Sequence, residues 1–221
     1  MNTLSAFFRK IFFGCIDLLL PPSDIERMRP EEFASRVKSV AQRGNLPADI
    51  EILFPYRDSL VRRAIWELKY RGNRKIASLL SALLYERMLR EARKRESSEE
   101  RTKIIVIPIP SSQGRLREKG FNQVHLLVEM MQTHDTEKIF SFDISTLQKI
   151  RETKTQVSVK NKNDRLQNLR GAFAVARNKN VTGTTIFLID DVATTGATLW
   201  EAKHILSKAG AKKVVCFAIA H

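Results

Sequence analysis

The sequence predicts an α/β protein built on a central, mainly parallel sheet flanked by helices, and three observations carry that prediction. Apolar runs rich in strand formers occur at 103–110, 186–189 and 213–220. Runs without polar alternation suit strands buried on both faces of a parallel sheet. Other stretches return their apolar residues at helical spacing, the partner such a sheet needs. At 221 residues and 43% hydrophobic content, the chain can bury one real core with an appended part rather than two full domains.

Residues 1–53 read as a helical N-terminal extension and residues 54–221 as the main domain. In 1–45 two short helices are separated by Pro21 and Pro22, and Pro30, Glu31 and Glu32 make a good first turn for the second. The apolar stretch 4–20 carries Arg9, Lys10 and Asp17. A spanning helix needs about 20 mostly apolar residues, so the stretch reads as an amphipathic docking helix without stable membrane insertion.

Next, Leu60, Val61, Ala64, Ile65 and Leu68 mark one helix. After a break at Arg71, Gly72 and Asn73, Ile76, Leu79, Leu80, Leu83, Leu84 and Met88 mark another. The charged run 90–101 reads as a frayed helix end and linker. Strand 103–110 ends where Pro108 and Pro110 stop sheet pairing. A loop to residue 123 follows, then a helix marked by Phe121, Val124, Leu127, Val128 and Met131. Residues 139–148 supply a further strand. The polar stretch of about 149–171 lacks periodicity and has the length of an active-site lid. The last helix, with Leu199, Ala202, Leu206 and Ala209, stops at Gly210 before strand 213–220.

The chemistry concentrates in 186–199, IFLIDDVATTGATL: a strand, two adjacent carboxylates, a hydroxyl- and glycine-rich turn, and a helix start. A turn that opens a helix presents N–H groups and the positive dipole end to a phosphate. Ionised carboxylates only accept hydrogen bonds, so their partners are hydroxyls or a metal-bound group. A ribose 5-phosphate offers both a phosphate and a diol.

This pattern resembles the 5-phosphoribosyl-1-pyrophosphate (PRPP) motif of type I phosphoribosyltransferases. Three further segments narrow the resemblance to the ComF family: Pro108-Ile109-Pro110 with Arg115, Arg117 and Gly120-Phe121-Asn122-Gln123; Arg151, Thr155, Gln156, Arg165, Asn168 and Gly171-Ala172-Phe173; and Leu68-Lys69-Tyr70-Arg71-Gly72. The resemblance implies the type I phosphoribosyltransferase fold with a lid, and Mg2+-dependent transfer of a 5-phosphoribosyl group with release of pyrophosphate. It implies that Asp190 and Asp191 hold the ribose diol, and that Val192, Ala193, Thr194, Thr195, Gly196, Ala197 and Thr198 hold the 5′-phosphate. Ser111, Ser112, Arg115 and Arg117 would meet the pyrophosphate, and Arg151, Thr155, Gln156 and Arg165 would belong to the lid. Mg2+ would arrive on PRPP without direct protein ligands. The cysteine-rich zinc module of many relatives is absent, so no zinc is expected. Asn122 and Gln123 have a competing role as caps of the helix they precede.

A net charge of +14 attracts polyanions without choosing among them. Cys15 and Cys216 are the only cysteines and point to a reducing, cytoplasmic setting. The alternative function is an accessory protein for single-stranded DNA in competence or recombination, together with proteins of those processes, with PRPP as ligand. Arg62, Trp66, Lys69, Tyr70 and Arg71 would be its contacts, since cations with stacking aromatics serve unspecific single-strand binding. Trp66 and Tyr70 as boundary core residues are the bland counterpart. A PRPP-sensing repressor would need a helix-turn-helix before Phe54, and none is legible there.

Overall fold

The computed structural model describes residues 24–37, 46–47, 49–96, 103–152 and 168–221, with the backbone alone at 96 and 115. A 5-stranded parallel sheet runs in the order β1 (Ile50–Phe54), β7 (Lys213–Ala220), β6 (Thr185–Val192), β2 (Ile104–Pro108), β3 (Ser141–Phe142). Beside it, β4 (Leu147–Lys149) and β5 (Phe173–Val175) pair antiparallel. The helices are α1 (Pro30–Arg36), α2 (Ser59–Trp66), α3 (Arg74–Glu96), α4 (Gln113–Lys119), α5 (Gln123–His134) and α6 (Ala197–Lys208).

Strand alternation sorts the core into two layers. Phe187, Ile189, Val215 and Phe217 face the side covered by α1, α2, α3 and α5. Ile186, Leu188, Val214 and Cys216 face α6 and the antiparallel β4–β5 pair. With both faces covered, β6 and β7 have no solvent side, which is why their sequences read as continuous apolar runs. Each fully buried aliphatic or aromatic side chain contributes about 1.5–3 kcal/mol. The helices start where short polar side chains take up their first N–H groups. Asp58 accepts from Leu60 N and Val61 N, Asn73 from Lys75 N and Ile76 N, and Asn122 from Val124 N and His125 N.

Four elements differ from the sequence reading. The sheet begins at Ile50, before the boundary drawn at residue 54, because Glu51 interrupts the apolar pattern yet finds Arg87 on α3 as an ion partner. Helix α3 continues through 90–96, where Ala92 is only 2% exposed. Within the supposed loop after β2 lies α4, whose one apolar residue, Leu116, is exposed; a helix without an apolar face leaves no periodic signal. The single strand read at 139–148 is two, separated by a turn that Asp143 organises. The first helix expected in 1–45 lies outside the described residues.

From β2 the chain crosses through α5 to β3 on one side, and from β6 through α6 to β7 on the other. The crevice between the carboxyl ends of β2 and β6 is therefore the switch point of the topology. Open α/β sheets bind their ligands there.

Candidate functional site

Asp190 and Asp191 end β6 at that crevice and, being adjacent in a strand, face opposite sides of the sheet. Asp191 is 4% exposed. Its Oδ2 accepts from Lys69 Nζ at 3.2 Å and Gln123 Nε2 at 3.3 Å, and its Oδ1 from Val192 N at 2.8 Å. Asp190 Oδ1 accepts from Asp191 N at 2.8 Å. Burial, then the charge of Asp191, pushes the Asp190 carboxyl well above the usual carboxylate range. Burial works against charge on Lys69, but Asp191 and then Asp190 more than offset it, so its ammonium is held charged to higher pH than usual. The site thus pairs one satisfied carboxylate with one that resists ionisation.

Lys69 reaches Asp191 from a π-helical turn, Glu67–Arg71, between α2 and α3. Such turns widen the helix by one residue and frequently mark functional positions. Three contacts fix this one. Leu68 is sunk in the core, buried Glu67 accepts from Arg71 Nη1 at 2.9 and 3.2 Å, and Gly72 closes the turn at φ 61°. A Cβ on Gly72 would lie 3.1 Å from the Phe121 ring. The Lys69–Gly72 segment and the Phe121–Gln123 segment are therefore packed on each other, and each sends one donor to Asp191 Oδ2. Asn122 does cap α5, as one of its two readings had it, while Gln123 belongs to the site. Nothing in the sequence pairs Lys69 or Gln123 with Asp191, which lies 68 positions beyond Gln123.

The turn after β6 is held from below: Ala193 N donates to Ala220 O at 2.9 Å, and the His221 ring Nδ1 donates to Ala193 O at 2.7 Å. Gly196 opens α6 at φ 73°, and a Cβ there would come within 3.0 Å of Leu46 and Ile50. Thr195 Oγ1 accepts from Ala197 N at 3.4 Å. Ala193 and Ala197 are buried, Val192, Thr195 and Thr198 half-buried, and Thr194 exposed. Together Val192–Thr198 form a short turn with the first N–H groups of α6 at its mouth.

The chain shows a match to the family model described as phosphoribosyl transferase domain over residues 74–221. The chain belongs to that family. Competence protein ComFC of Bacillus subtilis (strain 168) is 35% identical over 116 residues, 52% of this chain and 43% of that protein. Competence protein F of Haemophilus influenzae is 33% identical over 120 residues, 52% of this chain and 49% of that protein. These relatives agree with the ComF-type segments read from the sequence, and the chain spans about half their length. A hypoxanthine phosphoribosyltransferase structure from Staphylococcus aureus aligns at TM-score 0.36 and 10% identity, covering 64% of this chain and 61% of that one.

In this phosphoribosyl transferase domain the remaining candidates divide. Ser111 and Ser112 follow β2 at the crevice, and Ser112 is buried. Arg117 sits on α4, exposed, with Nη2 at 3.5 Å from Gln113 Oε1, and the Arg115 side chain lies outside the description. Arg151 donates from its guanidinium to Asn168 O and Arg170 O at 2.8 Å. Gly171 N is tied to buried Glu201 of α6 at 2.6 Å, and Glu152 Oε1 accepts from Gly114 N at 3.0 Å. Thr155, Gln156 and Arg165 lie outside the described residues.

Of the residues assigned to nucleic acid, Lys69 is at the acid pair. Trp66 and Tyr70 are 39% and 44% exposed, so they are not core residues. Their ring centroids are 5.6 Å apart; Arg71 lies 5.1 Å from the Trp66 centroid and Lys119 Nζ 4.8 Å from that of Tyr70. Arg62 is exposed on α2. A groove of about 840 Å³ starts at Thr195–Ala197 and runs along α6 past Trp200 and His204. Neither acid lines it, so the site is defined by the acid pair and not by this groove.

Proposed function

We propose that this protein binds PRPP in the crevice between β2 and β6 and transfers its 5-phosphoribosyl group, with release of pyrophosphate, in the presence of Mg2+. One observation carries the reading: the acid pair stands at the topological switch point, beside the Gly196 turn that opens α6. Asp190 and Asp191 would take the ribose hydroxyls, and the turn Val192–Thr198 the 5′-phosphate through its N–H groups and threonine hydroxyls. Ser111, Ser112, Arg115 and Arg117 would face the leaving pyrophosphate, where guanidinium groups suit bidentate contact. Positioning and donors aimed at developing charge account for the catalysis proposed.

Mg2+ fits these residues as a cation delivered with the ligand. Two adjacent carboxylates are too few for a protein-built cage, and no group of three or more His, Cys, Asp or Glu suited to a metal occurs among the described residues. Mg2+ characteristically keeps water and phosphate oxygens around it with only one or two carboxylates. When bound it would offset charge on the pyrophosphate. A cytoplasmic location is part of this proposal; among the described residues no helix is long and apolar enough to cross a membrane.

Calorimetric titration of PRPP with Mg2+ into wild type and into Asp190→Asn/Asp191→Asn tests the reading. Heat from the wild type alone is the expected result. A folded wild type without heat or thermal stabilisation would end it.

The exposed Trp66–Tyr70 pair, with Arg71 and Lys119 at its rings, favours a second reading: single-stranded DNA binding with PRPP as ligand, in keeping with relatives named competence proteins. Loss of affinity on Trp66→Ala at fixed salt is its signature. Affinity that falls with salt and ignores Trp66→Ala marks charge attraction alone.

A further inference from the structure

Asp191 has little acceptor capacity left. A carboxylate offers about four lone-pair sites, and three are taken, by Lys69, Gln123 and Val192 N. Lys69 has the opposite surplus, because an ammonium carries three donors and Asp191 takes one. Its side chain is 26% exposed, so its head can meet a ligand without leaving Asp191. Among the described residues it makes the only ion pair to either acid. The turn that presents it is anchored by Leu68, by Glu67–Arg71 and by Gly72 against Phe121, so its direction is set before any ligand arrives. Two bare carboxylates would repel an anionic ligand, and an ammonium at this place removes part of that repulsion.

We propose that Lys69 is a resident cation of the ribosyl-phosphate site, keeping its contact with Asp191 and donating to a phosphoryl oxygen of the same ligand, so that PRPP binding retains a component independent of divalent metal. This rests on the PRPP reading above. The test is calorimetric titration of PRPP in excess chelator and in excess Mg2+, with melting curves to confirm folding. The proteins are wild type, Lys69→Met, Lys69→Arg and, as a control for lost positive charge, Arg74→Met, whose side chain is 61% exposed in a pair with Glu129.

Wild type binds in chelator. Lys69→Met binds there about tenfold more weakly, the loss expected for one charge-assisted hydrogen bond. Its deficit narrows with Mg2+, Lys69→Arg recovers most of the affinity, and Arg74→Met matches wild type. The proposal is overturned by a wild type that binds only with Mg2+, a result that needs no variant. It is equally overturned by a folded Lys69→Met that is unchanged, or weakened by the same factor in both conditions, since Lys69 would then only orient Asp191. A wild type silent in both conditions removes the PRPP reading itself.

Discussion

Two aspartates, one just past the edge strand β3 and one near the end of the central strand β6, show how a fold separates structure from function. Asp143, in the turn between β3 and β4, accepts from Ser145 N and Oγ, Thr146 N and Oγ1, and Lys179 Nζ, all within 3.1 Å. Burial alone would raise its pKa, but Lys179, Ser145 and Thr146 outweigh it and hold the carboxyl far below its usual range. Asp190 is pushed the other way, by burial and by the neighbouring Asp191. Asp143 has every charge answered inside the chain. Asp190 has acceptor capacity and electrostatic strain in a crevice, the combination that marks sites built for something not yet bound.

The sharpest way to break this contrast is to neutralise the acids. Asp190→Asn/Asp191→Asn is expected to lower PRPP affinity by at least about a hundredfold, two or more charge-assisted hydrogen bonds being lost, as read by calorimetry. Asp190→Asn alone is expected to stabilise the fold by about 0.5–2 kcal/mol at pH 8, as relief of functional strain does. Burial and Asp191 raise the Asp190 pKa in the native state. As pH rises from about 4, the ordinary carboxylate value, toward the raised folded value, the unfolded chain releases a proton that the native state still holds, and stability falls through that window. The variant should lose that slope, and melting curves at pH 4 and pH 8 read the difference.

Asp143→Ala should do the reverse, lowering stability by about 1–3 kcal/mol by stranding its donors while leaving PRPP binding intact. A carboxyl with a depressed pKa stabilises above its unfolded value, and that contribution fades as pH falls through the folded value. The gap between wild type and Asp143→Ala should therefore shrink progressively as pH falls below about 4, the ordinary carboxylate value, as denaturant midpoints would show.

Gly72→Ala comes next, at about 1–2 kcal/mol for a side chain forced to positive φ, with the added Cβ against Phe121. It should weaken PRPP binding as well, because the same turn aims Lys69. Undiminished binding would show that the site does not depend on that turn.

Trp66→Ala has the smallest expected effect on folding, below about 1 kcal/mol, since the ring it removes is exposed and its contacts with Tyr70 and Arg71 lie at the surface. If bases stack on the ring, it should cost about 1–3 kcal/mol of affinity for a single-stranded oligonucleotide, measured by polarisation at fixed salt.

Much of the fold was legible because its signals are local. The apolar runs of β2, β6 and β7, the helical periods of α2, α3 and α6, and the stop at Gly210, which has φ 95°, follow from burial and backbone preference. Helix α4 was not, because it has no apolar face. Strand β1 was not, because Glu51 disguises it until Arg87 arrives from α3.

The candidate site divides the same way. The acid pair, the turn and the helix start are contiguous in sequence, so residue order alone placed two carboxylates beside a nest of N–H groups at a strand end. The donors that converge on Asp191 come from a π turn and from the start of α5, far away in sequence. Whether Lys69 faces solvent or a carboxylate, and whether Gln123 caps a helix or joins a site, was decided only when Gly72 packed against Phe121. A hydrogen bond between distant segments has no local signature: its partners are chosen by the packing that brings them together, and that packing exists only in the folded chain.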